Sequence, residues 1–366
     1  MTTFLSNYRP ASNVPEAKGV DVSVTTLADK FFFACKPGDS LLGAGLAAGF
    51  DLPYECATGT CGSCHARVMH GTVDPGWAQA PAYTKLRQAD GDVLMCQASP
   101  SSDCVLRVRS RTIQPTEPRP VIINRFGTVA LVRKLTHDVI HFEVDLSEPM
   151  DFKAGQFVTL KAPNVVGRRA YSMVNFDAAA DRLSFVVKRK PGGGFSDWLF
   201  DGHPDGSQLD IMGPLGRATF RPEEGLNLVC IAGGSGIAGM MSMLEQAVSL
   251  RYFETHRGSI FFGVRSLADC FYLERFDRYL AATEANLEVV IAISHEELSG
   301  TKHPDFPRIS IAKGFVHEVA SARMKGRWGN EVGYVAGPEP MVNAALKVLI
   351  AEAELPPTLI RYDKFS

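Results

Sequence analysis

Cys56, Cys61, Cys64 and Cys96 constrain this chain more than any other feature. Their spacing, C-x4-C-x2-C with a distant fourth cysteine, is that of four thiolates caging a plant-type [2Fe–2S] cluster. Three of them lie in the run YECATGTCGSCHARV, where Gly59 and Gly62 interleave with the small Thr60 and Ser63. Glycines at such positions let the backbone wrap tightly and turn amide N–H groups toward the sulfurs. A structural zinc site would show two matched C-x2-C or Cys/His pairs. A single C-x2-C pair is present here. The spacing therefore points to a carrier of one electron at a time.

At 366 residues the chain is too long for one core and predicts two or three domains. Hydrophobic content of 45% and charged content of 21% are those of a soluble globular protein. A net charge of −2 argues against nucleic acid as a general partner, which requires a basic face. No apolar run approaches the roughly 18 residues of a membrane span. The start, MTTFLSNYRPASNV, lacks the charged, apolar and small-residue regions of a signal peptide. A cytoplasmic location is expected, with no membrane contact. Cys35, Cys104, Cys230 and Cys270 sit in apolar surroundings and are expected to be buried free thiols.

Three domains are predicted, giving a multidomain α+β and α/β chain. The first spans 1–111. VDVSVTTL and KFFFACKP alternate and read as a hairpin, and Asp39 or Ser40 caps a helix over SLLGAGLAAGF. Strands over ARVMHGTV, DVLMCQAS and CVLRVRSR and a helix near AYTKLRQA complete a small mixed sheet, with the cysteine loop at its edge. Residues 112–120 hold three prolines and form a stiff linker. Residues 121–222 are strand-rich, with short alternating runs broken by Gly, Pro, Asn and Asp and one short helix over FSDWLFDG. That pattern predicts an antiparallel barrel. From 223 to 366 the runs LNLVCIAGG, SIFFGVRS, LEVVIAIS and EVGYVAG alternate with helical stretches. They predict a parallel sheet with helices on both faces.

Gly234-Ser235-Gly236-Ile237-Ala238-Gly239 matches G-x-G-x-x-G between a strand and a helix. The common dinucleotide fingerprint also needs an acid ending the second strand. Here that strand ends in Arg265 and Ser266. A glycine turn at a helix N-terminus still favours a phosphate, so a nucleotide site of another type is expected.

Arg169-Ala170-Tyr171-Ser172 resembles the R-x-Y-S flavin motif of the ferredoxin–NADP reductase superfamily. Gly213-Pro214-Leu215-Gly216 resembles its barrel-closing segment, and GGSGIAG, FFGVRSLADCFYLERF and YVAGPEPM follow in the family's order. With the cysteine pattern in front, nearly the whole chain resembles the reductase components of bacterial multicomponent oxygenases. The resemblance implies a β-grasp ferredoxin domain, an FAD-binding barrel and an NAD(P)H-binding domain. It implies transfer from NADH to FAD, then to [2Fe–2S], then to an oxygenase component or its small ferredoxin. The hydroxylase of a di-iron hydrocarbon or aromatic monooxygenase is the expected acceptor. A Rieske-type ring-hydroxylating dioxygenase is the alternative, as is a non-catalytic electron-transfer adaptor. A monomer is expected.

The resemblance also assigns roles. Arg169 would hold a flavin phosphate with its planar fork of donors, where the plain alternative is a salt bridge at the barrel end. Tyr171 would stack on the isoalloxazine and Ser172 would hydrogen-bond N5, although a strand tyrosine is also ordinary core. Lys188, Gly194 and Ser196 would face the pyrophosphate, unless the basic pair Lys188-Arg189 only solvates a barrel edge. Gly213 belongs to the closing segment. Gly234 and Gly236 would admit the dinucleotide, Gly337 and Pro338 would shape the facing turn, and Phe365 would cover the flavin unless the tail frays. Two departures stand out: Gly239 replaces a common proline, and Ala336 replaces a common cysteine. NADH is expected over NADPH because His295, Glu296 and Glu297 follow Ser294, where a 2′-phosphate would meet like charge. Arg265 nearby is the residue that could counter this. Around the cysteines, six acids (Asp51, Glu55, Asp74, Asp90, Asp92, Asp103) face three bases (Arg67, Lys85, Arg87), which suggests an acidic docking face.

Overall fold

Three main sheets follow one another along the chain in a computed structural model that describes residues 19–27, 29–110, 122–202, 204–283 and 285–365. The proline-rich stretch 112–120 lies outside the described residues. In the first unit, Val20–Thr25 (β1) and Lys30–Cys35 (β2) form the expected hairpin. Phe31, Phe33 and Cys35 point inward while Lys30, Phe32 and Ala34 face out, the period of two that a half-buried strand requires. Leu41–Ala47 (α1) is capped by Ser40, whose hydroxyl accepts the Gly43 N–H at 3.1 Å. His65–His70 (β3), Val73–Asp74 (β4), Asp92–Leu94 (β5), Ser99–Pro100 (β6) and Cys104–Arg107 (β7) complete the unit. The mixed sheet runs β2-β1-β7-β3-β5, with β1 and β7 parallel. The helix expected near 82–89 is instead two short 3-10 turns, Tyr83–Lys85 and Gln88–Asp90, with Leu86 extended between them. Only Tyr83 is buried among these turn residues, so no apolar face rewards a longer helix.

The second unit contains Ile123–Lys134 (β8), Val139–Met150 (β9), Phe157–Lys161 (β10), Arg169–Ser172 (β11), Ala180–Lys188 (β12), Gly194–Asp201 (α2) and Gln208–Leu215 (β13). Its antiparallel sheet runs β11-β10-β13-β8-β9-β12 and curls around Phe142, Phe185 and Phe195. Irregular register between Val129 and Leu131 helps it bend. The edges β11 and β12 share no ladder, so this is a half-barrel and not a closed barrel. Just beyond β11, the Val174 N–H donates to the Ser184 carbonyl at 2.8 Å and bridges the opening.

The third unit contains Asn227–Gly233 (β14), Ile237–Ser249 (α3), Gly258–Val264 (β15), Leu273–Ala282 (α4), Leu287–Ile293 (β16), Ser310–Lys313 (β17), Val316–Met324 (α5), Glu331–Pro338 (β18), Glu339–Ala351 (α6) and Ile360–Phe365 (β19). The sheet β17-β16-β15-β14-β18-β19 is parallel throughout. Its central strand is apolar on both sides: Leu228, Cys230 and Ala232 enter one core, Val229 and Ile231 the other. Strand order reverses between β14 and β18, which opens a crevice at their carboxyl ends. β17 and β19 were not expected as strands. The C-terminal segment is held because Arg361 is buried against Tyr334, the Thr219 carbonyl and Glu224.

The half-barrel is the hub. Its Phe157, Met212 and Leu215 enter the core of the first unit, while its Val139, Ala154, Val174 and Val186 pack in the core of the third.

Candidate functional site

The four cysteines converge as expected. Cys64 and Cys96 are buried with their sulfurs 3.2 Å apart, Cys56 is half-buried, and Cys61 is exposed. Backbone N–H groups of Thr58 and Cys61 each donate to Cys56 Sγ at 3.4 Å, and that of Ser63 donates to Cys61 Sγ at 3.5 Å. Gln97 Nε2 lies 3.5 Å from Cys96 Sγ. Hydrogen bonds from the Cys61 thiol and from the N–H groups of Thr58 and Cys61 lower the Cys56 thiol against its burial. Donation to Cys56 raises Cys61, and donation to Cys96 raises Cys64. Gly59 adopts φ +82, and a Cβ there would meet Ala80 at 2.9 Å, so the loop needs glycine. The other cysteines are free thiols held high by burial: Cys35, Cys230 and Cys270 at about 12 and Cys104 at about 11.

In the half-barrel, Arg169 lines an open cavity of about 660 Å³ with Gly194, Trp198, Val165 and Trp77. It has no carboxylate partner among the described residues, and its guanidinium reaches only the carbonyls of Val166 and Arg168. The neighbouring Arg168 is structural, paired with Asp210 at 2.6 Å. A cation without a counterion at the mouth of α2, beside aromatic walls, fits a dinucleotide phosphate. Tyr171 packs against Phe195 at 5.1 Å and Phe142 at 6.4 Å, and burial raises its hydroxyl. Gly213 is required because a Cβ would lie 2.7 Å from Val158. Two predicted phosphate ligands are otherwise engaged. Lys188 pairs with Asp138 at 3.2 Å, and Ser196 folds back on its own loop, donating to the carbonyls of Lys190 and Gly193. A short loop with many unmet backbone groups claims its nearest hydroxyl first.

At the switch crevice, Gly234 has φ +53 with open space where a side chain would project, while a Cβ on Gly236 would strike the Ala336 carbonyl at 2.3 Å. Gly337 and Pro338 end β18 opposite, and Pro338 is the N-cap of α6. Ser172, Gly239, Ala336 and Asp363 line one small cleft, which brings the expected N5 partner to the nucleotide crevice. The Phe365 backbone pairs with Pro338, but its side chain lies outside the described residues. Arg265 is not free: it meets Asp138 at 3.1 Å and Asp269 at 3.5 Å. Glu296 accepts the Leu267 N–H at 2.8 Å, and Glu297 pairs with Lys313.

Tyr54, Asp363 and Trp77, not anticipated from sequence, connect these centres together with Asp51. Tyr54, two positions before the first cysteine ligand, accepts the Gly216 N–H at 3.1 Å, and Asp51 pairs with Arg217 at 2.5 Å. Asp363 on β19 is pushed up to about 7 by burial of its carboxyl and by Glu55. Trp77 of the first unit stands in the Arg169 cavity. The cysteine loop, the closing segment and the terminal strand therefore meet. Most acids of the expected docking face have partners, and those held by backbone N–H groups keep their charge. Asp51 pairs as above, Asp90 and Asp92 serve Arg67, and Asp74 and Asp103 accept backbone N–H groups.

Residues 25–101 match a 2Fe-2S iron–sulfur cluster binding domain, 127–220 an oxidoreductase FAD-binding domain and 230–347 an oxidoreductase NAD-binding domain. The chain is 33% identical over 340 residues to the ferredoxin–NAD(+) reductase component of an alkene monooxygenase system from Xanthobacter autotrophicus. That match covers 93% of this chain and 99% of the relative. The chain belongs to this family of iron–sulfur flavoprotein reductases. A phenol 2-monooxygenase reductase component from a Pseudomonas species is 32% identical, with 86% of each chain covered. The solved ferredoxin reductase in carbazole 1,9a-dioxygenase superposes with a TM-score of 0.79 at 32% identity, covering 94% of this chain and 98% of the other. The reductase is therefore an oxidoreductase that carries electrons from a nicotinamide nucleotide through FAD to [2Fe–2S], and not a non-catalytic adaptor. When bound, FAD supplies the conversion of a two-electron hydride into single electrons, and the cluster supplies a one-electron carrier. The chain's own residues hold and orient these groups. The four cysteines would cage the iron, Arg169 would meet a flavin phosphate, and Ser172 would lie at the nicotinamide-facing cleft. Among the described residues no helix is long and apolar enough to cross a membrane.

Proposed function

We propose that the reductase delivers its electrons to an oxygenase component, the hydroxylase of a di-iron hydrocarbon or aromatic monooxygenase, acting as a single chain in the cytoplasm. The observation that carries this is the asymmetry of the cysteine cage. Tyr54 and Asp51 tie its approach to the flavin-binding unit, while Cys61 is exposed and offers an exit edge. Relatives named as components of alkene and phenol monooxygenases support the acceptor class. A Rieske-type dioxygenase is the second reading, favoured by the likeness to the reductase in carbazole 1,9a-dioxygenase. NADH is the proposed donor. Arg265, near the third strand end, is already met by two carboxylates, which weakens its hold on a 2′-phosphate. We assign the flavin site to Arg169, Tyr171, Ser172 and Gly194, and the nucleotide site to Gly234, Gly236, Gly337 and Pro338.

NADH-driven reduction of purified di-iron hydroxylases and Rieske oxygenases, with kcat/KM measured for both nucleotides, tests this. Faster reduction of the di-iron partner and at least a roughly tenfold preference for NADH, about 1.4 kcal/mol, are expected. Preferential reduction of the Rieske partner moves the assignment to the second reading, and equal nucleotide efficiency removes the donor assignment.

A further inference from the structure

We propose that Trp77, a residue of the cluster-bearing unit, is a positioning residue for FAD, so that the flavin cofactor is held between two domains. Trp77 lines the cavity that also contains Arg169, Gly194 and Trp198 of the half-barrel. The Arg169 guanidinium stands over the indole ring at 5.1 Å. A Cβ placed on Gly167, which has φ +75, would lie 3.0 Å from Trp77 Cε3, so the loop before β11 is packed directly on the indole.

Trp77 is itself fixed by the cysteine loop. The Gly76 N–H donates to the Asp74 carboxylate at 2.9 Å, and a Cβ on Gly76 would strike the Gln97 carbonyl, next to Cys96, at 2.3 Å. The Trp77 carbonyl accepts the Ala80 N–H at 3.0 Å, and the Ala82 N–H donates to the Gly59 carbonyl at 3.0 Å. One short segment thus touches the cage at Gly59 and Gln97 and the cavity through the indole.

Among the described residues Arg169 has no carboxylate to fix it, and two carbonyls leave much of its fork undirected. A flat π-face against a planar guanidinium restricts it to the plane of the ring without consuming its N–H donors, which stay available for phosphate oxygens. An aromatic wall also removes water from that interaction and strengthens it. Trp77 thereby lowers the ordering cost of FAD capture.

The proposal rests on the reading of this cavity as the flavin phosphate site, and the test separates the two. The full chain with its cluster intact is stripped of FAD, and the FAD dissociation constant is measured from quenching of flavin fluorescence. The variants are Trp77→Phe, Trp77→Leu, Trp77→Ala and Arg169→Ala, with cluster absorbance recorded for each. Trp77→Ala and Trp77→Leu are expected to weaken FAD at least tenfold, with Trp77→Phe within about threefold of the parent and cluster absorbance retained. Leu fills volume without a π-face, so the Phe–Leu contrast decides the matter even if the alanine variant folds poorly. Equal affinity of the Phe and Leu variants overturns the role of Trp77. Unchanged affinity in Arg169→Ala overturns the site itself.

Discussion

At the scale of single residues, Asp363 gives the sharpest test of how the three units meet. Burial of its carboxyl and the nearby Glu55 raise it from an ordinary 3.8 to about 7. Below about pH 4 both the folded and unfolded chains hold this proton, and it does not affect stability. Between there and 7 the unfolded chain releases the proton while the folded chain keeps it, so stability falls as pH rises, and the deficit is complete above 7. Asp363→Asn removes this dependence. Its gain in thermal midpoint over the parent should grow from pH 5 to pH 7 and then level off, and a pH-independent difference would exclude the burial. The four cysteines and Arg169 were legible because their chemistry depends on residue type and spacing. Asp363, Tyr54 and Trp77 were not, since each acts through a partner far away in the chain: Glu55, Gly216 and Arg169. Lys188, Ser196 and Arg265 stand differently. Their chemistry suits a phosphate, and a nearby carboxylate or carbonyl engages each.

At the scale of elements, the glycine turn after β14 places two different constraints within three residues. A Cβ on Gly236 meets the Ala336 carbonyl, a backbone atom that cannot swing away. Gly236→Ala should therefore cost about 2–3 kcal/mol through overpacking, read as a lower urea midpoint. Gly234 projects into open space with φ +53. Gly234→Ala should cost only about 1–2 kcal/mol of backbone strain but raise the KM for NADH several-fold, because its methyl occupies the approach to the helix start. Similar stability losses and an unchanged KM in both variants would remove Gly234 from the binding surface. The strands of this unit were legible as continuous apolar runs. β17 and β19 were missed because SIAK is very short and IRYDKF alternates charge with aromatics. The strand character of IRYDKF comes from pairing with β18 and from the buried ion pair of Arg361. The supposed helix near 82–89 had suitable residues but nothing to pack against.

At the scale of the whole molecule, the sequence read as three separable domains, and the structure joins them more closely than a proline-rich spacer suggested. Phe157, Met212 and Leu215 of the half-barrel complete the core of the cluster-bearing unit. Cutting the chain at residue 121 would expose these side chains and remove Trp77 from the Arg169 cavity. The switch crevice and the contacts between half-barrel and third unit, including the Gly155 N–H to Ser242 at 2.9 Å, are untouched by such a cut. Residues 121–366 should therefore fold and reduce small dyes with NADH when FAD is in excess, but lose FAD on dilution. They should melt at a lower temperature than the full chain and fail to reduce a protein acceptor of single electrons. Measuring dye-reduction rates against added FAD, alongside the same titration for the full chain, checks this. A truncated module that keeps FAD as firmly as the parent would show that the cluster-bearing unit only rests against the flavin site. Restored affinity on adding residues 1–120 in trans would instead show that the shared core alone suffices to assemble it.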